Sequence, residues 1–244
     1  MAINSIRGNW ILTGAIIGAF LVIPGYSKSD RNDDLALSAR STPLLPEPLE
    51  VRVPEMSFAR LYSQLDYRNP FPKTLSVCPS MRVSNAPPTD AGLEITGYRR
   101  LVTVNDVKIA IAPMKAGCLS SGFGIRAERL HKGLDYHYRE PVEIYAAADG
   151  IVRERKYRDD YGNMLVLEHG SGVFTRYAHL QSFADGVEIG ATLNLGEPIG
   201  LMGNTASYRI PIHLHYEVLV GEWGDQAGSF ALTPVNVLAK LSEN

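Results

Sequence analysis

The residues able to do chemistry in this chain are His131 with Asp135 four positions on, His179, and His213 with His215 two positions on. In the run IHLHYEVLV a strand sends alternate side chains to one face, so His213 and His215 point into the same site. One of them can bind a metal while the other stays free. In HKGLDY the four-residue separation returns His131 and Asp135 to one side whether the segment is extended or helical, and Gly133 and Tyr136 favour the extended form. Two imidazoles and one carboxylate fill three positions of a tetrahedral zinc, and a fourth position left to water is the pattern of a catalytic site. A closed structural site calls for a fourth protein ligand, usually Cys, and Cys78 and Cys118 lie outside the pattern. Zinc lowers the pKa of a bound water from about 15.7 to about 7, and the uncommitted histidines, His179 and His213, then accept or relay its proton.

Other polar residues near these positions read differently. His169, in the turn EHGSG, reads as a structural, hydrogen-bonded side chain. His137 lies two beyond Asp135 and is either a group supporting the ligands or a spare ligand, with the supporting role favoured. Glu217 shares the face of His213 and His215 and suits the task of orienting an imidazole, because metal-bound histidines give their other N–H to a carboxylate or carbonyl.

The segments SSGFGIR (Ser120 to Arg126), HKGLDY, YAAADGIV, DDYGNMLVLEHG, RYAHL, GVEIGATLNLGEPIGLMGNT and HLHYEV follow one another between residues 119 and 220. In this order they resemble the lysostaphin-type (LytM-like) zinc metallopeptidases of bacterial cell walls. The resemblance implies zinc held by His131, Asp135 and His215. His179 and His213 then flank the activated water and the substrate carbonyl. It also implies a compact, mostly antiparallel β-sheet domain with an open metal-binding groove, and peptide-bond hydrolysis in the stem or cross-bridge peptides of peptidoglycan. Some members of the family lack ligands and act as wall-binding regulators of other hydrolases. This chain keeps every ligand position, and a latent enzyme held off by its N-terminal segment is the remaining variant of the same reading.

The chain departs from the family pattern in places. Only Ala127 to Leu130 separate Arg126 from His131, a short loop that changes the groove wall. Ile125 stands where some members carry an oxyanion-stabilising tyrosine, with Arg126 as a substitute. Tyr208 and Arg209 replace small residues in the approach ASYRIPIHLH, where they either restrict access or add a contact for an anionic substrate.

The elements that must position these residues are strands. Alternating or β-branched runs occur at 101–104, 107–112, 142–146, 151–155, 164–168, 173–177 and 213–220, separated by Gly, Asp and Asn turns. The glycine-spaced stretch 186–203 suits tight hairpins, and almost no helix is required. The fold class is therefore mostly β and antiparallel.

Upstream, Arg7 precedes an uncharged stretch from Gly8 to Ser27 whose apolar core, Trp10 to Ile23, is followed by Pro24 and Gly25. This reads as a signal peptide or signal anchor at 1–27. The core is shorter than the roughly 20 residues that span a bilayer, which favours cleavage, and a membrane association requires that the segment stay uncleaved. No cysteine follows the apolar run, so a lipoprotein is not indicated. The nine prolines between Pro43 and Pro88 mark 28–89 as a linker or extension with one helical island at 57–65, and the peptidase-like domain is assigned to 90–240. An exported chain, in the periplasm or cell envelope, favours pairing of its two cysteines. The net charge of −2 supplies no broad basic field, so nucleic acid is not expected as a partner. Peptidoglycan is the expected partner, and no regulatory protein is identified.

Overall fold

The computed structural model describes residues 71–242. The apolar segment at 8–27 and the helical island expected at 57–65 lie outside the described residues. Among the described residues no helix is long and apolar enough to cross a membrane.

The framework is a run of short antiparallel strands. β1 (Leu101–Val104) and β2 (Val107–Ala110) form a hairpin whose turn residues Asn105 and Asp106 both take positive φ, 42° and 66°. Asn and Asp tolerate that region, which a two-residue hairpin turn requires. β3 (Cys118–Ser121) precedes a second hairpin of β4 (Gly124–Arg126) and β5 (Arg129–His131), and then come β6 (Leu134–His137) and β7 (Glu143–Tyr145). The long strands are β8 (Gly150–Arg158), β9 (Gly162–Glu168) and β10 (Val173–Leu180). β11 (Ser182–Phe183), β12 (Thr192–Leu193) and β13 (Pro198–Leu201) lead to β14 (Leu214–Val220) and β15 (Thr233–Val235). The main sheet runs β12-β8-β9-β10-β14-β6-β3, with β15 on β14, while β11-β13-β7 form a smaller sheet. Helical structure among the described residues is confined to two 3₁₀ turns, Ser229–Ala231 and Ala239–Ser242.

The central strands are buried on both faces, and their alternation divides two cores. Leu165, Leu167, Tyr177, Tyr216 and Val218 face the larger one, with Ile109, Ile111, Met114 and Ile144. Met164, Val166, Phe174 and Leu219 face a smaller one closed by Leu232. Odd positions of β14 and even positions of β10 therefore share a side. His215, Glu217 and Arg176 lie on that side.

Residues 71–89, expected as linker, are part of the packed domain. Phe71, Leu75 and Val77 are buried in the larger core. Val77 and Ser84 make parallel bridges to Leu119 and Ser121 of β3, and Cys78 forms a disulfide with Cys118. The reason is that β3 ends the main sheet and presents unpaired backbone groups. Prolines remove some donors from the extension, yet its remaining groups still pair there: Cys78 N–H donates to Leu119 O and Leu119 N–H to Ser76 O, both at 2.9 Å.

Candidate metal centre

Three strands bring the ligand atoms together. β14 and β6 pair with His215 opposite Asp135, and His131 closes β5 before a turn at Lys132 and Gly133. HKGLDY is thus extended on either side of a turn. A Cβ on Gly133 would sit 2.3 Å from the Tyr216 carbonyl oxygen, so only glycine lets this turn lie against β14. His131 Nε2 lies 3.0 Å from Asp135 Oδ1 and 3.1 Å from His215 Nδ1, and His215 Nδ1 lies 2.8 Å from the same Oδ1. All three residues are buried.

The outer nitrogens decide what these inner atoms are. His131 Nδ1–H donates to the Gly122 carbonyl at 2.7 Å, and His215 Nε2–H donates to Glu217 Oε1 at 2.9 Å. Each imidazole therefore turns a lone pair toward Asp135, as second-sphere acceptors do in metal sites. Three acceptors this close repel one another unless positive charge sits among them. The same demand appears in the titration. Burial opposes protonation of His215, but Asp135 and Glu217 outweigh it and raise its pKa to about 9. Burial likewise opposes ionisation of Asp135, yet the two histidines hold its carboxyl well below the usual range. His131, Asp135 and His215 are able to hold one metal ion, and two nitrogens with one carboxylate oxygen suit zinc.

A buried network fixes the ligands from behind. Glu217, with no solvent exposure, also accepts from Tyr161 Oη at 2.8 Å and from Arg176, which donates further to the Ser229 carbonyl at 2.7 Å. The Arg176 guanidinium lies over Phe230, 4.2 Å from the ring centre. Glu217 stays ionised despite burial because His215, Arg176 and Tyr161 surround it. The orienting role expected for Glu217 agrees with this geometry, whereas Arg176 and Tyr161 were not singled out from sequence. A signal existed: an arginine inside the wholly buried strand VFTRYAHL needs a carboxylate, and Glu217 is the charged residue opposite it in β14. Arg126 donates to Asp135 Oδ2 at 2.9 Å and to Ser121 Oγ at 2.8 Å, so it braces a ligand.

His179 and His213 sit beside the centre with ring centroids 4.7 Å apart, and His179 is 6.1 Å from His215. The β9–β10 register shifts between Tyr177 and Leu180, and His179 takes φ 60° at that bulge. Bulges re-aim side chains in this way. His179 Nδ1–H donates to Thr205 O at 2.8 Å and His213 Nδ1–H to Pro211 O at 2.9 Å, leaving both Nε2 atoms as acceptors. Burial, with His213 nearby, lowers the His179 pKa to about 4, and burial also lowers that of His213. Both rings are neutral at pH 7.

Two cavities meet at this point. One of about 720 Å³ is lined by His131 and Tyr161, and one of about 350 Å³ by Asp135 and His213. Arg126, His179, Tyr208 and His215 line both. Arg209, considered from sequence as an anion contact, lines neither, and Ile125 is 65% exposed. His137 donates from Nδ1 to the Ile212 carbonyl at 2.7 Å and is not among the ligands. His169 bridges Asp149 O and Thr175 Oγ1, the structural role expected of it.

Residues 129–226 match peptidase family M23. The DD-carboxypeptidase/endopeptidase Mpg of Neisseria meningitidis is 35% identical over 116 residues, which are 45% of this chain and 26% of Mpg. The peptidoglycan DD-endopeptidase ShyC of Vibrio cholerae is 37% identical over 92 residues, 38% of this chain and 21% of ShyC. The chain thus spans about a quarter of the length of the curated relatives it matches. A solved zinc-containing peptidase from Vibrio cholerae aligns at 26% identity over 65% of this chain and 40% of its own, with a TM-score of 0.38.

Proposed function

We propose that this protein, whose residues 129–226 match peptidase family M23, is a zinc-dependent endopeptidase that hydrolyses peptide bonds in the stem or cross-bridge peptides of peptidoglycan. The observation that carries the reading is the convergence of His131 Nε2, Asp135 Oδ1 and His215 Nδ1 to within 3.1 Å of one another, each residue held from behind, beside the imidazoles of His179 and His213. The names of Mpg and ShyC support the substrate class.

His131, Asp135 and His215 would hold the ion, with Gly122, Glu217 and Arg126 keeping their tautomers and orientation. Zinc bound there supplies a Lewis acid for the scissile carbonyl and a water with a pKa near 7. His179 and His213 are acceptors at neutral pH through Nε2, so either could take a proton from a water bound at that site. Once protonated, the same ring donates a hydrogen bond to the oxyanion that forms on the carbonyl. With the rings 4.7 Å apart, charge on one disfavours charge on the other, so they act in turn. A regulator that binds the wall without cutting it has no use for this complete set. Export to the periplasm or cell envelope is part of the proposal, supported by Arg7 with the apolar segment after it and by the Cys78–Cys118 disulfide.

The test is digestion of peptidoglycan sacculi by the zinc-loaded, full-length protein, with and without a chelator, followed by mass spectrometry of the released muropeptides. Chelator-sensitive loss of cross-linked species without new glycan ends is expected. Intact cross-links after incubation with zinc-loaded protein, or cleaved glycan, would overturn the reading.

A further inference from the structure

The β4–β5 hairpin borders the larger cavity, and its register decides which side chains face the centre. Its turn residues Ala127 and Glu128 take positive φ, 46° and 61°, and this two-residue turn pairs Arg126 with Arg129 and Gly124 with His131. Strand alternation puts Arg129 on the face of His131, and cross-strand pairing puts it on the face of Arg126. Arg126 reaches Asp135 from that face, so it is the face toward the metal centre.

Like charges directly opposite one another in a hairpin destabilise it. Arg126 is compensated by Asp135 and Ser121. Arg129 and Lys132 are exposed, and neither has a carboxylate partner among the described residues. Both line the 720 Å³ cavity together with His131 and His215. The acid in that cavity wall away from the ligands, Asp160, is already held by Arg158 through two bonds of 2.9 and 3.0 Å. On the other side of the centre the 350 Å³ cavity has Met81, Ser121, Ile210 and Pro211 in its wall, with no cationic side chain beyond the shared, compensated Arg126. The groove is therefore positively charged at one end only. The hairpin keeps Arg129 opposite Arg126, where it weakens the pairing, and Lys132 follows in the next turn; neither has a carboxylate partner among the described residues, and a peptide offers one common anion to meet them, the carboxylate.

We propose that Arg129 and Lys132 form a carboxylate-recognition subsite, and that the preferred substrates carry a free carboxylate on a residue flanking the scissile amide. This rests on the endopeptidase reading above and names its substrate class more closely. Arg129 offers a planar fork suited to a carboxylate, and Lys132 adds a second, flexible donor.

The test uses two synthetic cross-linked peptide dimers that differ only in the group beside the cross-link amide, a free carboxylate in one and a carboxamide in the other. The full-length, zinc-loaded protein is expected to cleave the free acid with a kcat/KM about tenfold higher, and the preference should shrink as salt rises. In the double variant Arg129→Gln, Lys132→Gln the preference should fall to about twofold or less through a raised KM for the free acid. A circular-dichroism spectrum and a urea midpoint equal to those of the wild type show that the variant is folded. Equal cleavage of the two dimers by the wild type, or a preference that survives the double substitution, would overturn the subsite. If the wild type cleaves neither dimer the peptidase reading fails, and binding of the same pair then decides the subsite. Equal Kd values refute it, and tighter binding of the acid that is lost in the double variant upholds it.

Discussion

Glu217→Gln separates the two tasks of the buried network, because it preserves shape and removes charge. The carboxylate accepts from His215 Nε2–H, Tyr161 Oη and Arg176 at once. A glutamine cannot replace it in either orientation. With its NH₂ toward Arg176, two donors meet; with its NH₂ toward His215, the imidazole moves its proton to Nδ1 and loses the lone pair that faces Asp135. Arg176 and Glu217 are 1% and 0% exposed, so the substitution strands a buried guanidinium. Removing one partner of such a pair costs about 3–5 kcal/mol. Loss of an outer-shell acceptor lowers metal affinity about 10–100-fold. Urea unfolding in chelator measures the first without the contribution of bound zinc, and competition against a chromogenic chelator measures the second. Adding Arg176→Met removes the stranded charge. The double variant should recover most of the stability, short by about 1–2 kcal/mol for the lost Ser229 hydrogen bond and ring contacts, while its zinc affinity stays low. A double variant no more stable than Glu217→Gln, or wild-type zinc affinity in the single variant, refutes this account of the network.

His179→Ala should keep zinc, since the ligand set is untouched, and lose about 10²–10⁴ in kcat, read by metal content and single-turnover cleavage together; unimpaired turnover would remove His179 from the chemistry. His169 bears on pH. Burial lowers its folded pKa to about 4 from an unfolded 6.5, so between those values the unfolded chain binds the extra proton and stability falls as pH falls, with no contribution above 6.5. The loss by pH 4 is on the order of 2–3 kcal/mol, and His169→Gln should flatten that part of the stability-versus-pH curve in urea titrations. Reduction of the Cys78–Cys118 bridge, which closes a loop with a sequence separation of 40, should destabilise by about 4 kcal/mol, seen as a lower urea midpoint in dithiothreitol.

Alternation was the legible part of this fold. The runs at 101–104, 164–168 and 213–220 coincide with β1, β9 and β14 to within two residues, and the common face of His213 and His215 followed from the same period. Motif order marked His131, Asp135 and His215 because their chemistry tolerates few substitutes. Pairing partners were not legible. The register that sets Arg176 against Glu217 belongs to two strands 41 positions apart, and no local pattern reports it. Nor was the packing of residues 71–89, because proline density measures missing donors and not whether an open sheet edge lies within reach. Arg129 was passed over for the same reason: its orientation comes from a turn at Ala127 and Glu128 that no glycine marks.

The bulge at His179 shows what a local pattern hides most completely. A strand reading of RYAHL places Tyr177 and His179 on one side, and in the structure Tyr177 lies in the core while His179 borders the cavities. The inserted offset reverses the side, and the φ of 60° is what it requires of an L-residue. Such strain persists only where surrounding bonds over-determine it. Here His179 N–H donates to Tyr161 O, and its ring to Thr205 O, both at 2.8 Å. The backbone contribution can be measured apart from the ring, since His179→Ala and His179→Gly both delete the imidazole. In an ordinary strand interior glycine is the less stable of the two by about 0.5–1 kcal/mol. At a left-handed position alanine bears a penalty of about 1–2 kcal/mol that glycine avoids, so the order should invert, with His179→Gly more stable by up to about 1.5 kcal/mol in urea unfolding. If alanine is the more stable residue at 179, the bulge is not what turns this histidine toward the metal centre.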